Sequence, residues 1–85
     1  MREVEFTKLA YSQFMEWKKT DKKIFNRIEL LIEAIQENPH EGIGKPEPLK
    51  HEFAGYWSRR ITKEHRLIYK VTHGSIIIFA CKFHY

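Results

Sequence analysis

The chain has one cysteine, Cys81, so no internal disulfide can staple it, and a disulfide-built secreted scaffold is excluded. Its longest apolar stretch, Ile76–Cys81, is far too short to cross a bilayer. Met1-Arg2 leads straight into charged, strand-like sequence, so no signal peptide is expected and a cytoplasmic protein with no membrane partner is the default. Glycine-rich phosphate loops, serine elbows and paired-carboxylate motifs are missing. Cys81 and His84 have C-x-x-H spacing, but in a strand they point to opposite faces, and no second ligand pair matches them. Neither a metal nor a cofactor is therefore expected. No repeat or linker divides the 85 residues, which read as one domain over 1–85.

Charge and aromatic residues are abundant. Fifteen Lys/Arg against eleven Asp/Glu give a net charge of +4, and Phe, Tyr and Trp make up 14% of the chain. A hydrophobic content of 42% is too high for a disordered tail. The charge is unevenly spread: residues 1–43 carry a net −1, residues 44–85 a net +5 and four of the five histidines. A basic face concentrated in the second half suits a polyanionic partner.

Hydrophobic periodicity predicts the order β-α-α-β-β-β. Glu3–Phe6 alternates as a short half-buried strand. Thr7 is placed to cap a helix from Lys8 to about Lys18. Thr20-Asp21 offers a second cap, and Ile24, Ile28, Leu31, Ile32 and Ile35 then form an apolar stripe on a helix reaching about Glu37. Asn38-Pro39 stops it. A stiff loop follows, with all three prolines within residues 39–48. Tyr56–Ile61, His65–Thr72 and Ser75–Phe83 read as strands, and Leu49–Phe53 as a further short one. The expected fold class is α+β: two N-terminal helices packed on one face of an antiparallel sheet. Alternation groups Tyr56, Ser58 and Arg60 against Trp57, Arg59 and Ile61, and Arg66, Ile68 and Lys70 against Leu67, Tyr69 and Val71. Antiparallel pairing can then bring Arg60 and Arg66 to a common face.

Four places can carry chemistry. Glu47, between Pro46 and Pro48, reads as an exposed turn glutamate or as a carboxylate with restricted aim that accepts a proton. Arg59, Arg60 and Arg66, with Lys50 and His51, supply cationic donors suited to phosphate; the alternative is a solvated charged face. Tyr56, Trp57 and Phe83 lie among them and can stack bases, although core packing accounts better for Trp57 and for much of Phe83. His84-Tyr85 ends the chain after the most apolar strand, and reads as a solvated terminus or as a proton donor with an aromatic neighbour. A Glu, an Arg and a His on a basic sheet suit RNA cleavage through the ribose 2′-hydroxyl.

The blocks Gly44-Lys45-Pro46-Glu47-Pro48-Leu49-Lys50-His51, Gly55-Tyr56-Trp57-Ser58-Arg59-Arg60-Ile61-Thr62, Glu64-His65-Arg66-Leu67-Ile68-Tyr69 and Ala80-Cys81-Lys82-Phe83-His84-Tyr85 closely resemble those of the YoeB/Txe toxins. The likeness runs from about Tyr11 to Tyr85. It implies a RelE-like fold, similar to small microbial ribonucleases. It also implies an endoribonuclease that cuts mRNA in the ribosomal A site, thereby stopping translation, without a metal. A YefM-type antitoxin would neutralise it, and operator DNA would be met only through the antitoxin complex. By resemblance Glu47 is the general base, Arg66 stabilises the transition-state phosphate, His84 is the general acid, and Tyr85 positions His84 and the substrate. Lys50, His51 and Arg60 hold phosphate or tune the site. The sequence leaves monomer and homodimer open, and a non-catalytic ribosome- or RNA-binding inhibitor is the alternative reading of the basic face.

Overall fold

The computed structural model describes residues 1–83, so the expectations for His84 and Tyr85 fall outside the described residues. Strand β1 is Glu3–Phe6 and helix α1 is Lys8–Thr20. The Thr7 hydroxyl caps α1 by accepting the Ala10 N–H at 3.1 Å. It also donates to the Phe79 carbonyl at 2.8 Å, which ties the helix start to the sheet. Asp21 is the whole connection to helix α2, Lys22–Glu37. Its N–H closes α1 on the Trp17 carbonyl, and its carboxylate accepts the N–H groups of Lys23 and Ile24. The predicted stripe is the buried side of α2, with Ile28, Leu31 and Ile35 fully enclosed. Asn38 ends α2, its side chain capping the N–H groups of His40 and Glu41 beyond Pro39.

The remaining strands are β2 (Glu47–Pro48), β3 (Tyr56–Arg60), β4 (Arg66–Val71) and β5 (Ser75–Ala80). They form a five-stranded sheet in the order β1-β5-β4-β3-β2. The β3-β4-β5 meander is antiparallel, as expected. The expectation of a wholly antiparallel sheet needs correction, because β1 runs parallel to β5, with Glu3 opposite Ser75 and Phe6 opposite Ile78. Such a long-range pairing leaves no trace of its direction in local alternation. The extra strand is also displaced. Leu49–Phe53 is not extended; β2 precedes it, and the chain then turns through a 3-10 turn at His51–Phe53, with His51 at φ 59°. Strand β5 stops at Ala80 instead of Phe83, because the Cys81 N–H leaves the ladder for Gln13 Oε1 at 2.8 Å and Phe83 takes φ 60°.

Ala10, Ile28, Leu31 and Ile35 from the helices meet Leu67, Tyr69, Ile76 and Ile78 from the sheet in one core. Burying each large aliphatic side chain stabilises the fold by about 1.5–3 kcal/mol. Both helices therefore lie on one face of the sheet. Strand alternation leaves Tyr56, Ser58, Arg60, Arg66 and Lys70 to the other face.

Candidate active site

The register of β2, β3 and β4 assembles the site on that second face. Glu47 lies opposite Ser58, and directly opposed residues in an antiparallel pair project to the same side. Arg60, two residues beyond Ser58, shares that side and lies opposite Arg66. The expected common face for Arg60 and Arg66 is thus present, with Glu47 on it. Strand spacing and rise put the Glu47 and Arg66 Cα atoms about 12 Å apart, a gap their side chains can bracket around a phosphodiester. The Glu47 carboxylate is exposed and has no hydrogen-bond or ion-pair partner among the described residues. Like charges placed directly opposite repel, so the Arg60–Arg66 pair is costly unless an anion joins it. The Arg66 Nη1 donates to the carbonyls of Thr62, Lys63 and His65 at 2.9–3.2 Å. These bonds aim the guanidinium, while its Nη2 and Nε carry no hydrogen bond among the described residues.

Lys50 and His51 follow β2 and are both exposed, bordering a hollow of about 330 Å3. Among the described residues, three non-glycine positions have left-handed backbones: Lys45 (φ 51°), His51 (φ 59°) and Phe83 (φ 60°). Each such conformation costs about 1–3 kcal/mol, and such positions gather at functional sites. Here they flank Glu47, adjoin Lys50 and precede His84. Tyr56 adds an aromatic surface on the same face, extended by Phe79 at 5.4 Å and Phe53 at 6.3 Å, with the Lys70 Nζ 5.5 Å from the Tyr56 ring centroid. Sequence reasoning missed Phe53 and Phe79; Phe79 stands out of phase in its apolar strand, which was the available signal. Trp57 packs against the core, as expected, and also meets the His40 ring. Phe83, by contrast, is exposed.

Arg59 corrects the sequence reading. It is 0% exposed and cannot belong to a surface that holds substrate. Its guanidinium donates to the carbonyls of Asn38, Glu41 and Ile43 and to the Tyr69 hydroxyl, which in turn donates to the Pro39 carbonyl. Arg59 therefore fastens loop 38–44 to the sheet. The Gly44 carbonyl completes the attachment by accepting the Arg60 N–H at 2.7 Å, just before the chain reaches Glu47. Burial pushes up the proton affinity of the Tyr69 hydroxyl, and the hydrogen bond and charge of Arg59 oppose this.

At the other border of the site, segment 81–83 is held by α1 and by His65. Gln13 and Trp17 hydrogen-bond the Cys81 N–H and carbonyl, and Lys82 pairs with Glu16 at 2.9 Å. Cys81 itself is no nucleophile, because burial pushes its thiol up to about 12. The described residues contain no group of three or more His, Cys, Asp or Glu positioned to hold a metal, and no helix long and apolar enough to cross a membrane. A hollow of about 510 Å3 lies between α2 and loop 38–43 with an acidic rim of Glu33, Glu37 and Glu41. None of the candidate site residues lines it.

With this geometry in place, comparison with known proteins decides the family. The model of the YoeB-like toxin of bacterial type II toxin-antitoxin systems matches residues 6–85. The chain belongs to the YoeB toxin family. Toxin YoeB of Escherichia coli strain K12 is 51% identical over 76 residues, covering 89% of this chain and 90% of the relative. The YoeB dimer of Staphylococcus aureus superposes with a TM-score of 0.93 at 42% identity, covering 99% of this chain and 98% of that one. The heterotetrameric YoeB-YefM toxin-antitoxin complex of the same species gives 0.91 at 42% identity, covering 100% and 99%. The arrangement of two helices on a mixed sheet is thus the RelE-like one that YoeB toxins share, and the matched region contains every candidate site residue.

Proposed function

We propose that this toxin is an endoribonuclease that cleaves mRNA in the ribosomal A site and so stops translation in the cytoplasm. The observation that carries the reading is the Glu47 carboxylate, which has no partner among the described residues, on the sheet face that also presents Arg60 and Arg66. Glu47 takes the proton of the ribose 2′-hydroxyl, and the oxygen attacks the neighbouring phosphorus. Arg66, aimed by the 62–65 carbonyls, stabilises the charge that builds on the phosphoryl oxygens. The bond from phosphorus to the 5′-oxygen breaks, and His84 supplies the proton that this leaving group needs. Products are a 2′,3′-cyclic phosphate and a 5′-hydroxyl end. Every proton passes through a side chain, so the scheme requires no metal. Lys50, His51 and Arg60 hold flanking phosphates, Tyr56 stacks a base, and Tyr85 positions His84 and substrate.

The likeness to the Staphylococcus aureus complex supports neutralisation by a YefM-type antitoxin. In that state operator DNA is contacted through the antitoxin. Mapping of mRNA 5′ ends on translated and untranslated message tests the reading. Wild-type protein should create new ends only in translated mRNA, with a cyclic phosphate on the upstream fragment, and Glu47→Ala should abolish them. Arrest of translation without new ends would overturn cleavage in favour of a binding inhibitor.

A further inference from the structure

Phe83 is the last described residue and its peptide bond leads into His84, so whatever holds Phe83 sets where the proposed acid begins. Phe83 has a left-handed backbone at φ 60°, a conformation that persists only when its surroundings over-determine it. Two bonds do so. The Phe83 N–H donates to His65 Nδ1 at 2.8 Å, and the Phe83 carbonyl accepts the Arg66 N–H at 2.8 Å. The imidazole is itself fixed. It is 7% exposed, the Trp17 ring meets it edge-on at 4.9 Å, and Glu64 Oε1 lies 3.5 Å from Nε2. An N–H that donates to Nδ1 requires this nitrogen to be unprotonated, which leaves the ring proton on Nε2, facing Glu64.

We infer that His65 is a positioning residue: its Nδ1 holds the Phe83 amide and so aims the segment that delivers the leaving-group proton. The inference rests on the proposed acid role of His84. Neighbouring residues divide the work: the Arg66 side chain has the proposed role of stabilising the phosphate, while the His65 ring and the Arg66 N–H grip the two sides of Phe83. An ordinary strand end needs no buried imidazole for its last amide, and Trp17 and Gln13 already anchor the chain two residues earlier.

The test uses the full-length toxin on ribosomes programmed with two mRNAs. One has the natural 5′-oxygen at the scissile phosphate. The other has sulfur there, and a thiolate departs without a proton. His65→Leu keeps bulk but removes the acceptor, whereas His65→Asn restores an acceptor near the Nδ1 position. His65→Leu should lower kcat on the oxygen mRNA by about 10- to 100-fold with KM little changed, since a positioned acid contributes about 10²–10⁴-fold. On the sulfur mRNA it should cut near the wild-type rate, and His65→Asn should recover most of the oxygen rate. Equal slowing of both mRNAs by His65→Leu, or no slowing of either, overturns the inference. His84→Ala separates the two levels. If sulfur rescues His84→Ala but not His65→Leu, only the positioning role fails. If sulfur rescues neither, the acid assignment falls and the inference falls with it.

Discussion

Arg59 and Arg60 are neighbours in one strand with opposite fates, and the two faces of the sheet differ in the same way. On the helix side Arg59 is sealed, and its guanidinium is used up by three carbonyls and a hydroxyl. On the open side Arg60 is exposed opposite Arg66, near a carboxylate with no partner among the described residues. Satisfied polar groups make structure; unsatisfied ones of matched chemistry await a ligand. Under the proposed function, strand alternation separates folding from function at the resolution of one residue.

The largest expected effects test that separation directly. Glu47→Gln should reduce ribosomal mRNA cleavage by about 10²–10⁴-fold while leaving the urea midpoint unchanged. Arg59→Leu should do the reverse first. Leaving its acceptors without a donor should cost about 3–5 kcal/mol in urea unfolding, and any loss of cleavage should track the unfolded fraction. If Arg59→Leu remained stable and lost activity, the division between the faces would be wrong.

Gly44 sits on the boundary. A Cβ there would lie 2.8 Å from Leu31 Cδ2 and 3.1 Å from Arg59 Cβ, at φ +85°. Gly44→Ala should therefore cost about 2 kcal/mol and also disturb Glu47 three residues on, so that both readouts fall together. Asp21→Ala removes a cap remote from the site and should lower stability by about 1 kcal/mol without altering cleavage by the folded protein. The gentlest probe is alkali. Folding raises the proton affinities of Cys81 and Tyr69, so the unfolded chain loses those protons first, from ordinary values of 9.0 and 10.0. The stability they contribute is complete at pH 7 and declines as pH rises through 9 and 10 toward the folded-state values. Cys81→Ala should flatten this decline in thermal melts between pH 8 and 10.

Much of the pattern was legible in the chain. Thr7 and Asp21 cap the two helices, and the Ile28, Leu31 and Ile35 stripe is the buried one. The grouping of Arg60 with Arg66 on one face followed from alternation alone. Alternation had also set Arg59 with Trp57 and Ile61, the side that the structure turns to the core. Its charge argued for the surface, and only the carbonyls of a distant loop, invisible in local sequence, make that burial affordable. The direction of β1 was hidden for a similar reason, since its partner is distant in the chain. His65 passed unremarked because a histidine acting through a backbone amide has no spacing signature. Tyr56 was legible as a stacking aromatic, but the neighbours that build its platform arrive from the 3-10 turn and from β5.

The parallel contact of β1 with β5 has a temporal consequence. Glu3 meets Ser75, seventy-two residues later, so the outer pair of the sheet cannot close until nearly the whole domain has left the ribosome. Contacts this distant slow folding, because the loop must be gathered before the pairing repays it. A newly made toxin therefore spends its first moments with an unpaired strand and an incomplete sheet. That interval is a window in which a partner can reach the chain before it can do harm.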